Sequence, residues 1–137
     1  MTERSKAKNA CDKAFSRFVR LSCADKYGMI NCITCDKRKM WDEVDCGHFQ
    51  TRGKLSVRWL YEPENGLINA AAQCKGCNMS NGGHSYQFGK KIDALYGSGS
   101  ADTVVFMSNQ IRKYTVQELR DMAASFEARA IAILQEI

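Results

Sequence analysis

Apolar residues Ala7, Cys11, Ala14, Phe15, Phe18 and Leu21 recur at helical spacing, while Lys13, Arg17 and Arg20 fall on a different face. This predicts a helix over about 6–23, ended by Tyr27-Gly28. From Met29 to Gln50 the pattern shifts to short β-branched and aromatic stretches around the polar turn Asp36-Lys37-Arg38-Lys39, which predicts two short strands or a hairpin. Residues 51–69, punctuated by Gly53, Pro63 and Asn65-Gly66, read as loop. A second helical segment runs from about Cys77 or His84 to Tyr96, and Gly97-Ser98-Gly99-Ser100 follows as a linker. Residues 101–111 read as a short helix. Thr115-Val-Gln-Glu118 then has the form of a capping box, in which a hydroxyl and a carboxylate each satisfy an orphan backbone N–H. The helix it opens carries Leu119, Met122, Ala123, Phe126, Ala130, Ile133 and Ile137 on one face, a stripe suited either to the chain's own core or to a homodimer seam.

These elements predict one small α+β domain over 1–137: an N-terminal helix, a core over about 29–96 and C-terminal helices over about 101–137. No apolar run approaches the roughly 20 residues of a spanning helix, and the opening Met-Thr-Glu-Arg-Ser-Lys-Ala-Lys lacks the apolar stretch of a secretory signal. A cytoplasmic protein with no membrane partner is therefore expected. Charge adds a direction: residues 1–60 hold 13 Lys and Arg against 7 Asp and Glu, whereas the remainder holds 7 against 8. An anionic partner is expected on the basic half.

Seven cysteines are an odd number, and four of them form two pairs, Cys32-Ile-Thr-Cys35 and Cys74-Lys-Gly-Cys77. Two such knuckles can place four thiolates on one tetrahedral ion, so a structural zinc is expected, with no open position for catalysis. Cys11 and Cys23 read as small buried side chains.

Between the knuckles lie Asp45-Cys46-Gly47-His48-Phe49 and Asn69, and Asn78 follows the last thiolate. A histidine suits a general base near neutral pH. Asp45 and the amide oxygen of Asn78 suit a hard cation such as Mg2+ or Mn2+, for which Cys46 would be a poor ligand. In a regular strand Asp45 and His48 face opposite sides, so a bulge or break at Gly47 is expected, without which Asp45 would lose its role. Arg52, Lys54, Arg58 and Lys75 are candidate phosphate contacts, ahead of the Lys13, Arg17 and Arg20 stripe. Trp59 reads as packing; Tyr61 suits either packing or stacking on an exposed base. His84 is expected at the surface.

The set of a histidine at a strand end, an asparagine in a following loop and a polar ligand at a helix start resembles the HNH, or ββα-metal (His-Me finger), nucleases. With Asp-x-Gly-His-Phe, Asn-x4-Cys-x2-Cys-Asn and the helical tail, the chain from about residue 10 onward is similar to the NinG/Rap family of phage recombination endonucleases. The Asp-x-x-His and Cys-x2-Cys-Asn elements also resemble endonuclease VII-type junction resolvases. The resemblance implies a phage or prophage DNA endonuclease, with His48 as base, Asp45 and Asn78 as metal ligands and Asn69 holding the loop that orients His48. It further implies cleavage of branched recombination intermediates, such as Holliday junctions or displacement loops; the C-terminal helices are expected to support a homodimer, which would present two active sites to two strands. A sequence-specific or nicking HNH endonuclease would share these residues, and a non-catalytic zinc-stabilised DNA-binding module would need only the knuckles.

Overall fold

The computed structural model describes all residues, 1–137. Its first element, α1 (Glu3–Ser22), opens on Thr2, whose side chain accepts from the Ser5 N–H at 3.0 Å. Two short strands follow, β1 (Met29–Asn31) and β2 (Arg38–Met40), paired antiparallel, but β2 takes Arg38 and Lys39, which the sequence read as part of the turn. After a 3-10 turn at Trp41–Glu43, β3 (Asp45–His48) leaves that hairpin and pairs instead with a strand from much later in the chain. The segment read as loop is more ordered than expected. It contains a one-turn helix α2 (Leu55–Arg58) and the strands β4 (Tyr61–Glu62) and β5 (Leu67–Ile68), which pair with each other.

The partner of β3 is β6 (Ala70–Gln73), every residue of which is buried. Alanine has little intrinsic preference for strands, and the reason for the choice is steric. Ala70 meets the core of α1 on one side, while Ala71 meets Phe88, Ile92 and Ile68 on the other, so short side chains let layers close on both faces. The chain continues into α3 (Lys75–Met79), α4 (Asn81–Tyr96), α5 (Ser100–Ser108) and α6 (Val116–Leu134). Helices take 58% of the chain and strands 13%, a mixed class in which helices dominate. No helix is long and apolar enough to cross a membrane.

The largest core joins the two ends of the chain. Leu119, Phe126 and Ala130 of α6 pack against Cys11, Phe15 and Phe18 of α1, with the Phe126 ring 5.1 Å from Phe15 and 5.6 Å from Phe18. Most of the apolar stripe of α6 is therefore used within the chain, while Ile137, just past its end, stays exposed. The expected capping box is formed: Thr115 accepts from the Glu118 N–H at 3.0 Å and Glu118 accepts from the Thr115 N–H at 2.9 Å. Ion pairs Arg17–Glu127, at 3.0 Å, and Arg120–Glu3 flank the same contact.

Four consecutive residues at the start of α4 have positive φ: Asn81 (46°), Gly82 (63°), Gly83 (77°) and His84 (55°). The right-handed helix proper begins only after them. The second helical segment expected from Cys77 or His84 is thus split in two, with a left-handed turn between its parts that the glycines make accessible.

Candidate active site and metal centre

The turn after β1 and the start of α3 bring the four knuckle cysteines together. Their sulfurs all lie within 4.8 Å of one another, and Cys35 Sγ is 3.8 Å from Cys74 Sγ. A tetrahedron of sulfurs at ~2.3 Å from zinc has edges of about 3.8 Å, so the donor set fits such an ion. None of the seven cysteines is in a disulfide. Burial pushes the Cys32 thiol up, but backbone N–H groups of Cys35, Cys74 and Thr34 outweigh it and bring Cys32 down to about 7. The four cysteines could hold a metal such as zinc, tying the β1–β2 hairpin to α3.

Beside this cluster, a cleft of about 470 Å³ lies between α1, β3, the loop after β3 and the α3–α4 junction. Asp45, His48 and Asn78 all line it. The bulge expected at Gly47 is absent: Asp45↔Gln73, Cys46↔Ala72, Gly47↔Ala71 and His48↔Ala70 pair in unbroken register. A Cβ on Gly47 would lie 2.0 Å from Gln73 Oε1, so the glycine serves close approach to β6 and not a kink. His48 consequently faces α1, its ring 6.0 Å from that of Phe15, whereas Asp45 faces α3. Both reach one cleft because β3 pairs on one side only and the cleft wraps around its free edge. The regular strand, which would have separated the two residues across a wider sheet, does not do so here.

The ring of His48 has a fixed tautomer. Its Nε2 lies 2.9 Å from the Arg58 carbonyl oxygen, and since a carbonyl can only accept, Nε2 carries the proton and Nδ1 is the acceptor. Burial lowers the imidazole's pKa against the opposing pull of the Arg58 carbonyl, favouring the neutral ring.

The Arg58 carbonyl is held from two sides. Asn69, fully buried, donates from Nδ2 to the carbonyls of Gln50 and Val57, both at 3.0 Å, and accepts from the Gln50 N–H at 2.7 Å. These bonds close the loop over 50–57. From α1, the Asp12 carboxylate accepts from Arg58 Nε at 3.0 Å, Arg58 Nη2 at 2.6 Å and Trp59 Nε1 at 2.9 Å. Asp12 is a residue that sequence reading missed. It stands directly before Lys13, the first residue of the basic stripe, and only the tertiary fold reveals its partners.

Asp45 accepts from Lys75 Nζ at 2.7 Å and from Asn78 Nδ2 at 3.0 Å. Burial would raise its carboxyl, but the ammonium and the amide outweigh that and hold it below the usual carboxylate range. The two side chains expected to hold a hard cation are thus in contact, but through the Asn78 amide nitrogen, and Lys75 already sets a positive charge on Asp45. Cys46, in the same cleft, is no nucleophile, because burial pushes its thiol far above the ordinary range.

The remaining basic candidates divide. Arg58 is 15% exposed and engaged by Asp12, Arg20 donates to Ser16 and Trp41 backbone oxygens, and Arg17 pairs with Glu127, so all three have partners within the chain. Arg52 lines the cleft with its side chain 60% exposed, touching Asp12 at 3.3 Å, while Lys54 reaches Asn109 and Lys75 reaches Asp45 from exposed positions. Lys13 is exposed. Trp59 and Tyr61 both pack into the main core. His84 sits half-buried with Nε2 2.8 Å from Ser80 Oγ. Cys11 is buried and Cys23 half-buried, as expected of small packing residues.

No family model, no curated protein and no solved structure matches this chain.

Proposed function

We propose that the protein is a metal-dependent DNA endonuclease with a ββα-metal core made of β3, β6 and the α3–α4 segment. The observation that carries this reading is the His48 ring. Its Nε2 is committed to the Arg58 carbonyl, its Nδ1 is left as the proton acceptor, and it shares one cleft with Asp45 and Asn78.

In this reading His48 Nδ1 takes the proton of the water that attacks the phosphodiester, and the Arg58 carbonyl holds the imidazolium that results. Asp12 and Asn69 position that carbonyl. Asp45 and the amide oxygen of Asn78 would hold Mg2+ or Mn2+, which supplies charge stabilisation at the scissile phosphate and the leaving oxygen when bound. Arg52, Lys54, Lys75 and Lys13 would contact backbone phosphates. Zinc in the four-cysteine site has no coordination position to spare and holds the scaffold only. The preference for branched DNA rests on the resemblance to phage recombination endonucleases, and a homodimer would suit it by setting two clefts on two strands.

The test is cleavage of a synthetic four-way junction and a matched linear duplex, with Mg2+, with Mn2+ and with no added divalent ion. Cuts that require the ion and fall by about 10²- to 10⁴-fold in His48→Ala are expected. Equal cutting of the duplex would remove the junction preference and leave a general or sequence-specific nuclease. Binding without cleavage under every condition would overturn the nuclease and favour a zinc-stabilised DNA-binding module.

A further inference from the structure

On the far side of Trp59 from the cleft lies a second, smaller cavity of about 250 Å³, lined by Leu55, Trp59, Tyr114 and Leu119 and rimmed by Arg4, Lys8 and Lys113. Its floor is apolar, with the Trp59 and Tyr114 rings 5.3 Å apart at 84°. Its rim carries three cations and no acid. The acids nearest in sequence are already paired, Glu3 with Arg120 and Glu118 with Arg112. Arg4 is held in place by donating to the Tyr114 carbonyl at 2.5 Å.

The position of this cavity relative to the cleft follows from α1. Arg4, Lys8, Asp12 and Ser16 are spaced four apart and so form one ridge of the helix. Arg4 and Lys8 border the small cavity, whereas Asp12 and Ser16 border the cleft that holds His48. At ~1.5 Å per residue, Lys8 stands about 6 Å from Asp12 and about 12 Å from Ser16 along the axis, a span that one or two nucleotides of an extended strand cover. Trp59 completes the link, since its Nε1 donates to the Asp12 carboxylate while its ring lines the cavity. The negative charge of Asp12 is met by Arg58 and Arg52 and does not repel a strand passing over it.

From this arrangement we infer a nucleotide subsite: the cavity takes one unpaired base of a DNA strand running from the cleft along α1, with Lys8, Lys113 and Arg4 on its phosphates. The inference rests on the nuclease reading for the direction of the strand, but it concerns binding and needs no cleavage. An apolar floor under a cationic rim is the combination by which single strands are held, the base contributing through its apolar faces and the backbone through charge.

Binding of a fluorescent single-stranded oligothymidylate, and of an abasic strand of the same length, is measured by anisotropy with no divalent ion added. The normal strand is expected to bind at least about fivefold tighter than the abasic one. Lys8→Ala with Lys113→Ala should weaken both about tenfold and make the log–log salt dependence shallower by about 1.4, the value for two contacts on a single strand. Lys26→Ala, remote from the cavity, should change neither. Leu55→Trp, which fills the cavity and keeps every lysine, should erase the preference for the normal strand. Equal affinity of the two strands for the wild-type protein, or a Lys8/Lys113 variant that binds like Lys26→Ala, would overturn the subsite. Cleavage by a protein with either of those results removes the subsite and leaves the nuclease; the expected binding pattern in a protein that cuts nothing removes the nuclease and leaves the subsite.

Discussion

A histidine with one nitrogen donating to a carbonyl can accept a proton only on the other, and it does so only while the ring is neutral. Burial lowers the pKa of His48, so the base stays unprotonated to a lower pH than a free imidazole would. Under the proposed mechanism, the acidic limb of the cleavage rate is accordingly expected to turn over below about pH 6.5, and a pH–rate profile of the junction assay checks it. A limb above that value would mean that another group controls the reaction. Asn69→Ala strands one N–H and two carbonyl groups around the loop over 50–57. It is expected to cost about 1–3 kcal/mol or more in urea unfolding, and to lower cleavage further by freeing the carbonyl that orients His48. Gly47→Ala belongs to the same scale. Its Cβ would collide with Gln73, whose Oε1 is buried without a partner and whose amide already donates to Thr34 and Gly83, both at 2.8 Å. With no free direction for Gln73 to turn, a loss of roughly 1–3 kcal/mol is expected.

At the scale of elements, α1 and α6 hold the largest core together through Phe126. Phe126→Ala is expected to destabilise by about 3–5 kcal/mol, and Thr115→Ala, which removes half of a capping box, by about 1 kcal/mol; chemical denaturation of the two variants separates them. Both helices were legible in the sequence because their apolar spacing and the Thr115–Glu118 pair are local signals. The knuckle cysteines were legible because ligand spacing is a covalent property of the chain. β6 was not: Ala70-Ala71-Ala72 carries no strand signature, and its conformation is dictated by the two layers that close on it. The left-handed turn at 81–84 was equally hidden, since Gly82-Gly83 permits such a turn without requiring it. The candidate site shows the same division. His48, Asp45 and Asn78, picked out by residue type and order, line one cleft, while Asn69 is buried behind it and bonds the loop over 50–57. The alternation rule held, and Asp45 and His48 do face opposite sides of β3; the expected bulge presumed a site confined to one face, whereas one cleft reaches both residues at the strand's free edge. Asp12 contributes from α1 through contacts 46 and 47 residues away in sequence, which no local pattern encodes.

For the whole molecule, a metal held by the four-cysteine cluster would be a source of stability separate from the α1–α6 core. Metal at a site of this kind contributes on the order of 10 kcal/mol apparent in small zinc modules, as much as an ordinary domain's total. A chelator is expected to remove hydrogen-exchange protection first from β1, β2 and α3, and through the Thr34–Gln73–Gly83 bonds to loosen one wall of the cleft. Uniform loss of protection throughout the chain would instead mean that the two parts unfold as one unit. The pairing of the first helix with the last has a further consequence, in the order of events during synthesis. Phe15, Phe18 and Val19 leave the ribosome more than 100 residues ahead of Phe126 and Ala130, which cover them. Contacts so distant in sequence form slowly, because the loop between them must close before they give any return. Until α6 emerges, α1 is an amphipathic helix with an open apolar face, the stage at which a nascent chain of this design is most exposed to aggregation and to chaperones.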